Sequence, residues 1–169
     1  MSKTLSKILA GTRMLSGVRK TRGESSPWSM TMNNDEFRLL AQFRAHLRQF
    51  DYFSEQQCAA LGLASQQYRA LLTIKGHPGP ELITITELSQ QVMIKHNSAV
   101  GMVDRLVEEG LVRRQPSKED RRRVGVKLTR HGETVLKRLA VAHRAELHRI
   151  SAEFGRYFRY FSKPMDWAG

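Results

Sequence analysis

Residues 116–129, PSKEDRRRVGVKLT, set three adjacent guanidinium groups, Arg121, Arg122 and Arg123, just after Lys118, Glu119 and Asp120. Arginine is drawn to a narrow minor groove of duplex DNA, where the negative potential is enhanced. Upstream, Lys95, His96, Asn97 and Ser98 bring side chains that can read base edges. Asn can pair bidentately with adenine, Lys can reach guanine acceptors, and Ser can bond either kind of edge. Blander readings stand beside these. The arginines could be a solvated hairpin, and Asn97 and Ser98 could cap a helix, since caps and base contacts use the same residue types.

The elements that would carry these residues follow from periodicity. A helix is expected from Asn33 or Asn34, with Asp35 and Glu36 in its first turn, where the helix dipole favours acids. Its apolar stripe is Phe37, Leu40, Phe43, Leu47, Phe50 and Phe53. It reaches about Phe53, the run Ser54 to Leu61 can continue it, and Gly62 stops it. Ser65 is expected to cap the next helix, QQYRALLTIK, which ends at Gly76. HPGPE then turns and LIT forms one small strand.

Thr84 and Glu87 form a capping box that opens TELSQQV, and a break follows near Met93 and Ile94. HNSAVGMVDRLVEEG reads as a further helix ended by Gly110, with Val100, Val103, Leu106 and Val107 as its buried face. Leu111 and Val112 open a strand, Pro116 to Asp120 turn, and Val124, Val126 and Leu128 alternate as a half-buried strand does. Arg113, Arg114, Lys118 and Lys127 add to the charge of this hairpin. Thr129 caps a long last helix whose apolar side is Val135, Leu139, Ala142, Leu147 and Ile150. The end, GRYFRYFSKPMDWAG, is aromatic and basic without a firm period.

The balance of 28 Lys and Arg against 16 Asp and Glu, a net charge of +12 over 169 residues, implies a polyanionic partner, nucleic acid before membrane surface. The single cysteine, Cys58, excludes an intrachain disulfide framework, and the setting expected is intracellular. No apolar run is long enough to span a bilayer. Residues 1–32 read as a basic extension: a disordered tail, a transit-like segment, or an over-long start before Met30 or Met32. All three readings begin the fold near Asn33.

Enzymatic patterns are missing. His131, His143 and His148 fall on different faces of the last helix and make no metal-ligand motif. No phosphate loop, nucleophile elbow or paired-carboxylate setting stands out, so neither enzyme nor cofactor is expected. Cys58 has no basic residue within a few positions to lower its pKa and reads as an inert thiol.

Two short helices with a tight break, followed at once by a hairpin, make a winged helix-turn-helix, whose second helix can lie in the major groove. The fragments QYRALLTIKG, ITELSQQV, SAVGMVDRLVEEGLVRR and EDRRRVGVKLTRHGE together resemble the multiple-antibiotic-resistance-regulator (MarR) family, over Leu61 to about Leu147. The resemblance implies a mainly α fold with a small β-wing, flanked by N- and C-terminal dimerisation helices. The division expected is an extension 1–32, a winged-helix domain 33–160 and a tail 161–169. Within the domain, the DNA-binding lobe covers about 62–130 and the dimerisation helices about 34–57 and 130–160.

The family's wing reads acid, two residues, Asp, one residue, Arg. Asp120 and Arg122 match, and Ser117 replaces the first acid. The resemblance implies that Arg122 enters the minor groove and Asp120 helps hold it. The recognition-helix candidates are Lys95, His96, Asn97, Ser98, Gly101 and Arg105, where Gly101 departs from the longer polar or cationic residue of many members. The C-terminus departs too, since many members end in a further acidic helix.

The function implied is a sequence-specific double-stranded-DNA-binding regulator, a homodimeric repressor on a pseudo-palindromic operator, released by a small aromatic or phenolic effector. Its place would be the cytoplasm, at the nucleoid. The runner-up is an architectural or protein-interaction winged-helix module without sequence preference. The effector would sit near Arg44, His46, Tyr68 and Arg69. The dimer would use Phe37, Leu40, Phe43, Leu47, Phe50, Leu139, Leu147 and Ile150. An independent reason for a dimer is that the stripe from Phe37 to Phe53 is too aromatic for one short unit to bury alone.

Overall fold

The computed structural model describes residues 32–78, 82–116 and 124–162. The chain divides into two compact units, residues 1–37 and 38–169. In the first, Asn33 is the cap: its Oδ1 accepts from the N–H groups of Asp35 and Glu36 at 2.9 Å each, and Glu36 Oε2 accepts from Asn33 N–H at 2.8 Å. Helix α1 runs Asn34–Ala59, past Phe53, and Gly62 follows it at φ +72°.

The second unit holds α2 (Ser65–Lys75), β1 (Ile83–Thr84), α3 (Ile85–Gln91), α4 (His96–Glu108), β2 (Val112–Pro116), β3 (Val124–Leu128) and α5 (Arg130–Phe161). The three strands form an antiparallel sheet in the order β1-β3-β2, with Val112 opposite Leu128 and Ile83 opposite Val126. Leu71, Leu88, Val103, Leu106, Val112 and Val126 are fully buried in the core shared by sheet and helices, and each contributes about 2 kcal/mol by leaving water.

Ser65 does not cap α2. The N-cap is Ala64, and Gln67 Oε1 accepts from the Ala64 N–H at 2.8 Å instead. The Thr84–Glu87 box opens α3 as expected: Thr84 Oγ1 accepts from Glu87 N–H at 3.2 Å, and Glu87 Oε2 accepts from Thr84 N–H at 2.8 Å. Met93 turns the chain at φ 55°, a left-handed conformation that costs a non-glycine residue about 1 kcal/mol or more.

Thr129 also behaves as expected, and does more. Its Oγ1 accepts from Gly132 N–H at 3.0 Å and donates to Gly110 O at 2.6 Å, so one side chain joins the end of α4 to the start of α5. Gly132 lies so close beneath Leu111 that a Cβ there would overlap the Leu111 carbonyl.

Three apolar assignments change. On α4 the buried face is Ala99, Met102, Val103 and Leu106, while Val107 is exposed and Val100 half-buried. The helix rotates one position because Ala99 and Met102 lie closer to the centre of the four-residue stripe than Val100 and Val107 do. In β3, Val124 is exposed, because only Val126 and Leu128 reach the helical layer. On α5, Leu139 and Ile150 are buried but Leu147 is 51% exposed, since it lies off their stripe.

The C-terminal aromatic run is helical, and α5 continues through it to Phe161. Phe154 and Tyr157, one turn apart, both pack edge-on against Phe43 of α1, with centroids at 5.7 and 5.6 Å. Tyr157 is fully buried, and its hydroxyl lies 2.8 Å from His46 Nδ1. A second cluster surrounds His143, whose ring sits 4.4 Å from Tyr68 and edge-on to Phe50 and Phe53. Its Nδ1 lies 2.8 Å from Leu139 O, a pure acceptor, so Nδ1 carries the proton. Nε2 lies within hydrogen-bond distance of Ser54 Oγ, at 2.9 Å, and both buried groups are satisfied.

Candidate nucleic-acid interface

The first turn of α4 is open. Lys95 is its N-cap, and no side chain caps the helix. Asn97 and Ser98 are therefore not caps; they lie inside the first turn, exposed beside exposed Lys95 and His96. A helix start with free amide groups, a lysine, and exposed Asn and Ser side chains suits an anion together with base edges. Gly101, a turn further on, would place a Cβ in open space, so a partner could approach the backbone there closely.

What turns this surface outward is the opposite face of the helix. Met102, Val103 and Leu106 hold α4 against the core, and α3 packs across it. Arg105 is exposed on the outer side and makes no ion pair with any described residue.

The wing is the β2–β3 ladder that follows. Arg113 lies directly opposite Lys127, and both are exposed. Like charges facing each other across a ladder destabilise it, which a polyanion would reverse. Arg114 faces the other way and reaches Asp104 of α4 at 2.7 Å. Gly125 lets β1 lie close, since a Cβ there would overlap that of Leu82. Lys118, Asp120, Arg121, Arg122 and Arg123 lie outside the described residues, so the structure places the base of the wing and not its tip.

The four effector candidates have different neighbours. Tyr68 is buried against His143, and His46 belongs to the separate Phe43–Tyr157 cluster. Arg69 pairs with Asp51 at 3.6 Å on the surface, and Arg44 is exposed. Of the dimerisation candidates, Phe37 and Leu147 are exposed, Leu40, Phe43, Leu47 and Phe50 half-buried, and Leu139 and Ile150 buried.

Three features escape sequence reasoning. They are the Asp104–Arg114 tie, the second bond of Thr129 to Gly110, and a cleft between the start of α2 and the flank of α4. Each joins residues far enough apart in the chain to leave no local pattern. Among the described residues, no group of three His, Cys, Asp or Glu could hold a metal ion, and no helix is long and apolar enough to cross a membrane.

The profile described as MarR family matches residues 61–123. An HTH-type transcriptional regulator, PecS of Dickeya dadantii, is 28% identical over 81 residues, 48% of this chain and 49% of the relative. The organic hydroperoxide resistance transcriptional regulator of Bacillus subtilis is 33% identical over 81 residues, 48% of this chain and 52% of the relative. The chain thus spans about half the length of the curated relatives it matches. The solved multiple antibiotic-resistance repressor (MarR) of Listeria monocytogenes is 26% identical, with a TM-score of 0.57 over 78% of this chain and 92% of that one. The MarR family profile thus matches the helix-turn-helix and the base of the wing, and the fold is similar to that of the Listeria repressor over most of this chain.

Proposed function

We propose that the chain is a sequence-specific double-stranded-DNA-binding transcriptional regulator, a homodimeric repressor acting at the nucleoid in the cytoplasm. The reading rests above all on one juxtaposition: the uncapped, exposed first turn of α4 stands on the same lobe as a wing whose outward pair, Arg113 and Lys127, is doubly cationic. The α4 start enters the major groove, with Lys95, Asn97 and Ser98 at base edges. The wing follows the backbone to the adjacent minor groove, and Arg122 at its tip enters it, steadied by Asp120.

The lobe of about 62–130 carries this contact, and the helices of about 34–57 and 130–160 carry the dimer. Exposed Val141, Leu147, Phe158 and Phe161 on α5, with Tyr52 on α1, leave apolar surface that a second copy would cover. Two recognition helices then meet half-sites about 10 bp apart, or a multiple of that. A small aromatic or phenolic effector rests on the family resemblance alone.

The test compares a duplex selected from a random pool with a mixed-sequence duplex over a salt series. The expected preference for the selected duplex is about 4 kcal/mol or more, with a log-log salt slope near about −5 for roughly six phosphate contacts. Arg122→Ala is expected to weaken binding strongly and leave the dimer intact by light scattering. Equal affinity for both duplexes would replace the regulator with an architectural protein.

A further inference from the structure

We propose that the cleft between the start of α2 and the flank of α4 is a seat for one phosphate of the DNA backbone, with Arg105 as its charged contact. The proposal rests on the DNA-binding reading above and assigns Arg105 a role other than base recognition.

The cleft holds about 270 Å³ and is lined on one side by Ala64, Gln66 and Gln67 and on the other by Ser98, Met102, Arg105 and Glu109. Ser98, Met102 and Arg105 recur at four and then three positions, so they share one side of α4. Met102 is buried and forms the floor, while Ser98 and Arg105 stand exposed at the rim. Gln66 is exposed on the facing wall.

The one acid in the cleft is already engaged. Gln67 Nε2 donates to both Glu109 carboxylate oxygens at 3.1 Å, and Gln67 is itself held by the Ala64 N–H. Arg105, one turn before Glu109, makes no ion pair with it or with any other described residue. The cleft thus offers a free guanidinium, a hydroxyl and a carboxamide around a space large enough for a phosphate group.

Distance decides what Arg105 can touch. It lies about 10 Å along the axis from Ser98, at roughly 1.5 Å per residue. When the first turn of α4 sits at the base edges, Arg105 is two turns out, at the level of the strand that borders the groove. Ser98 belongs to both surfaces, so the seat is continuous with the reading turn. A phosphate contact of this kind fixes register and carries no sequence information.

The experiment measures affinity of the full chain for a mixed-sequence duplex and for a selected duplex over about 50 to 300 mM salt, a range in which phosphate contacts dominate the slope. Arg105→Ala is expected to weaken both duplexes equally, by about tenfold near 0.1 M salt, and to make the log-log slope less negative by about 0.9. Selectivity should not change. Arg105→Lys should keep the slope, and Gln66→Glu, which adds a carboxylate to the cleft, should weaken both duplexes. Melting curves check that each variant is folded, and inorganic phosphate should compete only at high concentration.

If Arg105→Ala leaves affinity and slope unchanged while Arg113→Ala lowers them, the seat is wrong and the DNA reading stands. If Arg105→Ala lowers selectivity, Arg105 reads bases and the seat is also wrong. If the wild-type chain binds neither duplex at low salt, the DNA reading fails and the seat fails with it.

Discussion

Arg114 Nη2 stands 2.7 Å from Asp104 Oδ1, so the first strand of the wing is tied to the second half of α4. Arg113 and Arg114 are neighbours in sequence with different tasks, because successive residues of a strand point to opposite faces. Arg113 faces outward opposite Lys127, and Arg114 turns inward on the face of buried Val112. The pair is partly exposed, so Asp104→Ala should cost no more than about 1 kcal/mol of stability. Its larger effect should be on DNA affinity, through loss of the fixed angle between wing and helix. A double-mutant cycle with Arg114→Ala, read by fluorescence anisotropy on a duplex, should show coupling; strictly additive losses would mean the wing is positioned by something else.

Two helical glycines should respond oppositely to the same change. At Gly132 a Cβ would overlap the Leu111 carbonyl, so Gly132→Ala should destabilise the fold by about 2 kcal/mol or more. At Gly101 nothing lies within 4 Å of the new atom, so Gly101→Ala should stabilise α4 by up to about 1 kcal/mol. Urea midpoints of the two variants decide the matter. A stable Gly132→Ala protein would mean that the α4–α5 joint is looser than it looks.

Lys75 Nζ lies 2.6 Å from Glu133 Oε1, across from α2 to α5, and this bond holds the Glu133 carboxyl below the ordinary glutamate range. A carboxyl whose pKa is lowered by folding stabilises the fold above its unfolded pKa, and that contribution fades as pH falls. The stability gap between wild type and Lys75→Met should therefore be present at neutral pH and close below about pH 4. Denaturant midpoints across pH measure it. A gap that persists in acid would assign the effect to packing of the lysine stem.

Cys58 is fully buried, and burial pushes its thiol above the ordinary range. Near pH 8 the native thiol should react with a disulfide reagent about a hundredfold or more slowly than the unfolded chain, because reaction must wait for local opening. Prompt modification of the native protein would contradict the buried, protonated thiol.

Much of this protein was legible in short-range pattern. The Thr84–Glu87 box, the Thr129 cap, the stop at Gly110 and the alternation at Val126 and Leu128 each depend on residues within about four positions. Their physics is local, so the order of helices and strands, and the helix-turn-helix with its wing, could be read directly. The match to the family covers that same local core.

What the chain could not announce is where local pattern gives way to packing. The side of α4 that faces outward follows from Ala99 and Met102 meeting the core, a choice that valine counts alone misassigned. The helical course of the last aromatic run follows from Phe154 and Tyr157 closing on Phe43 and His46, more than a hundred residues away. Arg105 opposite Gln66, and Arg114 on Asp104, are likewise matters of tertiary contact. Residue type and spacing determine which elements form. Which charges remain free to meet a partner is decided only when those elements pack, because burial and pairing depend on neighbours that sequence distance does not record.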